Sequence, residues 1–195
     1  MNKFALFFAL GVSVAMSDNS QLSQPLLDVL TPVDSIPSQE DLLTVFQSDS
    51  EAVGKLVDIV SDQSSDVGVE LRAIHALTQY RRAEAGVGVI PHDTLVNVVL
   101  PRFGAATSGS DLLLLAATIQ AIGAYPDKDV TNDLTALLPF LGHASRDVRL
   151  ATAHALRDLG NTNALIPLAN QQKIEHVNQV ELAINEALRV LGTPN

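Results

Sequence analysis

Val148-Arg149-Leu150-Ala151-Thr152-Ala153-His154-Ala155-Leu156-Arg157-Asp158-Leu159-Gly160 decides the fold. Its apolar residues recur at three- and four-residue intervals, the mark of an amphipathic helix, and a glycine closes it. At about 100° per residue, Val148, Ala151, Thr152, Ala155, Leu156 and Leu159 share one face. Leu150, His154 and Arg157 point the other way. The pattern also recurs. Thirty-two residues on come Val180-Glu181-Leu182-Ala183 and Ala187-Leu188-Arg189-Val190-Leu191-Gly192. Seventy-nine residues back come Val69-Glu70-Leu71 and Ala73-Ile74-His75-Ala76-Leu77.

Working outward, the chain divides into helix pairs. Ser48-Asp49-Ser50-Glu51 is a capping-box candidate, and Val53, Leu56, Val57 and Val60 follow it on one face. A second helix is expected over 66–82, with Val69, Ala73, Ala76, Leu77 and Tyr80 inward. The next pair opens near His92, with Leu95, Val98, Val99 and Phe103 as its apolar stripe. Its second helix, 112–124, is apolar nearly all round and so belongs at the centre of the stack. A third pair is expected over 130–141 and 146–159, with Ser145 as N-cap. A fourth is expected over 162–171 and 177–191, closed by Gly192 and stopped by Pro194. The second helices align at Leu77, Ile122, Leu156 and Leu188, spaced 45, 34 and 32 residues apart. Leu100-Pro101, Leu138-Pro139 and Ile166-Pro167 each put a proline inside an apolar first helix, a feature repeated at matching places. Periods of this size mean stacked helix hairpins, none able to bury its apolar face alone.

The pattern resembles the HEAT repeat, in the short form common in bacterial proteins. Leu137-Leu138-Pro139-Phe140-Leu141 carries the likeness in the first helix. Ser145-Arg146-Asp147-Val148-Arg149, Ala151, Ala155-Leu156 and Gly160 carry it in the second. In the fourth pair Glu181 replaces the arginine after the valine, and the second pair lacks the Asp-Val-Arg signature. The resemblance spans about residues 48–192. It implies an all-α, right-handed α-solenoid of about four antiparallel helix pairs whose concave face binds other proteins. Deoxyhypusine hydroxylases share the fold but carry His-Glu dipeptides, and this chain has only the reversed Glu175-His176. HEAT-like DNA glycosylases line their groove with basic and aromatic residues, whereas this chain carries a net charge of −10 and no Trp. Phycobilin lyases share the repeat but work in the cytoplasm.

Composition narrows the classes further. Such acidity repels phosphate backbones, so a nucleic-acid partner is not expected. With no Cys, disulfides, thiol catalysis and Cys-ligated metals are excluded. Residues 1–17 have the layout of a secretory signal peptide: Lys3, an uncharged apolar run over 4–14, then small residues that fit cleavage after Ala15 or Ser17. Removing them leaves 11 − 22 = −11. That run is too short to span a bilayer, which needs roughly 20 residues. An exported product, periplasmic or extracellular, is therefore expected, with no membrane insertion after cleavage. Residues 18–38 hold Pro25, Pro32 and Pro37 and read as an N-terminal arm, with residues 25–30 able to form a short helix over the end of the core. Ser38 reads as an N-cap with Asp41 three residues on, opening a short helix through about Phe46. The solenoid then occupies 39–192 and a tail 193–195.

No catalytic constellation emerges. His75, His92, His143, His154 and His176 never fall at the spacing of a helical metal pair, so neither metal nor cofactor is expected. Asp147-Val148-Arg149 reads as structural, its arginine long enough to reach the adjacent repeat. The candidate site is a ledge on the second helices: Leu71 and His75, then Leu150, His154 and Arg157, then Leu182, Glu186 and Arg189. Either these residues form a partner-binding groove with apolar anchors and arginines, or the leucines pack between neighbouring second helices. The expected function is a non-catalytic protein-interaction scaffold. The alternatives are a self-assembling filament or envelope subunit, joined head to tail through repeat ends and arm, and an accessory subunit of an enzyme.

Overall fold

The computed structural model describes residues 22–32, 35–82, 87, 89–125 and 130–193. The expected signal segment, the first residues of the arm, Gly86 and Gly88 and the last two tail residues lie outside them. Among the described residues every regular element is helical. The leading segment holds α1 (Gln24–Leu30) and α2 (Gln39–Leu43). The first pair is α3 (Asp49–Ser61) with α4 (Val67–Leu77), and a 3-10 turn, Thr78–Arg82, extends α4. The next is α5 (Val89–Thr94), a π turn over Leu95–Val99 and α6 (Leu100–Phe103), set against α7 (Ser110–Gly123). The third is α8 (Val130–Leu137) and a 3-10 turn, Leu138–Gly142, with α9 (Arg146–Leu159). The last is a 3-10 turn, Thr162–Ala164, and α10 (Leu165–Gln172), with α11 (Asn178–Gly192).

Local chemistry explains most of these boundaries. Ser38 and Asp41 form a full capping box at α2, though α2 ends at Leu43, short of Phe46. At α3 the box is half made. The Ser48 hydroxyl accepts from the Glu51 N–H, but the Glu51 carboxylate accepts from Gln47 rather than Ser48. Ser145 stands at the N-cap of α9 without a side-chain cap bond. Arg149 ties down the turn before it, donating to the carbonyls of His143 and Ala144. Gly160 ends α9 in the left-handed region at φ 69°, where a Cβ costs energy. Gly192 ends differently: it is the last residue of α11, followed by an extended Thr193.

The prolines do more than kink. None sits in an unbroken helix. Pro101 opens α6, Pro139 lies in the 3-10 turn, and Pro167 falls in the first turn of α10. A proline lacks the N–H that would continue the ladder, so the helix restarts there. Before Pro101 the backbone widens, and the Leu100 N–H reaches back to the Leu95 carbonyl. That extra residue per turn changes the facing. Leu95, Val99, Leu100 and Phe103 are buried, but Val98, expected on the stripe, is 45% exposed.

The core follows the sequence pattern closely elsewhere. All six residues assigned to the inner face of α9 are buried, each large one contributing about 1.5–3 kcal/mol by leaving water. α7 is the central element: it packs on α4, α6, α8 and α9. The second helices contact one another in order, α4 on α7, α7 on α9, α9 on α11. α7 and α9 meet at Gly123, where a Cβ would stand 2.6 Å from the Cα of Ala155. The leading segment folds back onto this body. Leu26 and Leu30 are buried, α1 packs on α4, and Arg72 Nε donates to the Pro32 carbonyl at 2.7 Å.

Candidate functional site

The expected ledge residues occupy the same angular position on α4, α9 and α11, because each helix repeats one pattern of buried residues. Burial separates them. Leu71 and Leu150 are half-buried and pack against the core, and His75 and His154 are half-buried as well. Leu182 is 61% exposed. Leu71 and Leu150 thus lie at the margin of the core, while Leu182 is an open apolar side chain. The anchor spacing also assigns Ala116 and Gln120 of α7 to this position, between α4 and α9. Ala116 is half-buried and Gln120 exposed. Both are small or uncharged and drew no notice in sequence, although the 45- and 34-residue spacings point to them.

Charge on the ledge is balanced within it. Arg157 Nε donates to Asp158 Oδ1 at 2.8 Å. Arg189 grips Glu186 through two bonds of 2.7 and 3.0 Å. That grip, with the nearby charge of Arg157, holds the Glu186 carboxyl below its usual range. Burial depresses the pKa of His75. Burial and then the Arg157 charge depress that of His154, against a smaller opposing pull from Asp158. Both imidazoles are therefore neutral at pH 7 and able to donate and accept.

Three polar ties join successive pairs. Arg102 ion-pairs Glu70 and donates to the Val60 carbonyl, fastening α6 to α4 and α3. Arg149 holds Glu175 with two bonds, of 2.7 and 2.8 Å. Glu175 is buried in the turn before α11 and also accepts from Gln171 and from the N–H groups of His176 and Val177. The Arg149 bond is the main cause that pulls its pKa down to about 2. The arginine thus reaches the next pair, as its place after Asp147-Val148 suggests. His92, 4% exposed, sets Nε2 2.9 Å from Oδ2 of Asp133, which is wholly buried. Sequence gives no sign of that pair, whose members stand 41 residues apart.

A cleft of about 400 Å³ opens at the far end of the chain, lined by Gly160, Thr162, Leu165, Val190, Leu191, Gly192 and Thr193. Its walls are apolar and hydroxyl groups, with no titratable side chain. Among the described residues no group of three or more His, Asp or Glu side chains is placed to hold a metal ion. No helix among them is long and apolar enough to cross a membrane. Compared with family models, with curated proteins and with solved structures, the chain matches none.

Proposed function

We propose that this chain is an exported, HEAT-like α-solenoid that works as a non-catalytic scaffold, binding a protein partner along the second-helix ledge. The observation that carries the reading is the serial contact of α4, α7, α9 and α11. Helices so packed present one equivalent position each, here Leu71/His75, Ala116/Gln120, Leu150/His154/Arg157 and Leu182/Glu186/Arg189. In a right-handed stack these positions line the concave side. Apolar anchors beside arginines and neutral imidazoles suit a protein surface better than a phosphate chain.

Head-to-tail assembly is the less favoured reading. The arm packs on its own first pair through Leu26 and Leu30. The outward side of α11 carries exposed Glu181, Asn185 and Arg189 around Leu182, a mainly polar end. Photo-crosslinking decides between the readings. A crosslinker placed at Gln120 or Leu182 is expected to capture one protein from the native envelope fraction. The same group at Ile166, 75% exposed on α10, is expected to capture none. Equal capture from both sides overturns the ledge. Self-crosslinks from Leu182, with a concentration-dependent mass in light scattering, overturn the scaffold in favour of a filament. Stoichiometric bound metal overturns the non-catalytic reading.

A further inference from the structure

His92 stands on α5 and Asp133 on α8, so their contact joins the first helices of the second and third pairs. The imidazole is bracketed: Nε2 lies 2.9 Å from Asp133 Oδ2 and Nδ1 3.3 Å from Asp93 Oδ1. The Tyr125 ring packs against it at 5.6 Å, tilted 59°, and is itself fixed by its hydroxyl, which donates to the Leu77 carbonyl. Asp133 is the unusual member. Its carboxylate is wholly buried, and Oδ1 has no hydrogen-bond partner. A buried carboxylate with one oxygen bare is stabilised by a neighbouring cation and otherwise tends to take up a proton. His92 is the group placed to supply that charge.

We propose that His92 and Asp133 form an acid-strengthened clamp between the second and third helix pairs, which loosens when the imidazole gives up its proton. The charged surroundings support that direction. Asp93 faces the ring from α5 and Asp133 from α8. The 3-10 turn after α4 packs on α5 and brings Arg81, whose charge reaches Tyr125. α3, also packed on α5, carries Asp49, Glu51, Lys55 and Asp58, none of which bonds or ion-pairs with His92. Among the described residues, α7 and α9, packed on α8, add no charged contact to either partner. Burial opposes the imidazolium, but the bonds and charges of Asp133 and Asp93 outweigh it and hold the His92 pKa above its ordinary value. Stabilisation by such a group is complete below the ordinary value of 6.5 and is lost as pH rises through the folded-state value. His75 and His154, whose values are depressed, contribute with the opposite sign.

Hydrogen exchange of the full chain, with rates corrected for intrinsic pH dependence, tests the clamp between about pH 6 and about pH 8.5. Peptides from α5 and α8 are expected to lose protection as pH rises, while those from α11 keep theirs. In His92→Gln the α5 and α8 peptides are expected to be poorly protected at both pH values. In Asp133→Asn, which no longer needs a cation, their protection is expected to be independent of pH. Loss of protection spread evenly over α5, α8 and α11, or wild-type pH dependence persisting in Asp133→Asn, overturns the proposal. If neither variant folds, constant protection of α5 and α8 in the wild-type chain overturns it equally.

Discussion

At the scale of single residues, the fold depends on a few positions with no slack. Gly123 is one. Its missing Cβ lets α7 approach the backbone of Ala155, and a methyl there would sit 2.6 Å from the Cα. Gly123→Ala is expected to destabilise by about 1–3 kcal/mol, the range for overpacking, read as a lower urea midpoint with unchanged slope. Leu156, fully buried on α9, fails in the opposite sense. Leu156→Ala opens a cavity and is expected to cost roughly 2–5 kcal/mol by the same measurement. Glu175 contributes to the acid sensitivity of the fold. Its carboxyl titrates at about 2 in the folded chain against an ordinary 4.5. Its stabilisation is therefore present above that ordinary value and lost as pH falls towards 2. Urea midpoints taken down that range should fall in the wild type, and Glu175→Gln should remove part of the fall.

At the scale of elements, what sequence reveals depends on whether the signal is local. The inner face of α9 was legible because helical period alone assigns it. Ser38 and Asp41 were legible because a capping box spans only four residues. The proline-bearing first helices were not. Their apolar residues keep a helical period, yet a missing N–H at Pro101, Pro139 and Pro167 restarts the helix, and the π turn at Leu95–Val99 turns Val98 outward. His92 and Asp133 left no trace because nothing local links residues so far apart. The repeat assigns the proposed ledge residues to matching positions on their helices, whereas the burial of Leu71 and Leu150 depends on neighbouring helices. The two closing glycines show the same limit. In sequence Gly160 and Gly192 play one role, but only Gly160 has positive φ. Gly160→Ala should cost about 1 kcal/mol. Gly192→Ala, meeting open space in an ordinary helical position, should be neutral or slightly stabilising. Paired thermal melts check the contrast.

At the scale of the whole molecule, an acidic chain presents a ledge whose own charges cancel. In the proposed scaffold, specificity there would rest on which charges a partner can share. Arg157 stands between Asp158 and the reach of Glu186. Arg157→Glu puts three acids together and removes the cation. The variant is expected to keep its helical circular dichroism and to lose about tenfold or more in partner affinity, the ordinary scale for an interface arginine. Titration against the crosslinked partner measures this, and unchanged affinity would move the binding surface off α9.

Gly123 and Arg157 hold corresponding places in α7 and α9, 34 residues apart. A chimera carrying a second α9 in the slot of α7 would drive a guanidinium arm into the backbone at Ala155, where a methyl already collides. The helix pairs share a pattern but are not interchangeable parts. Their order along the chain is written into the seam between α7 and α9, and a duplicated or shuffled pair would have to recut both sides of that seam.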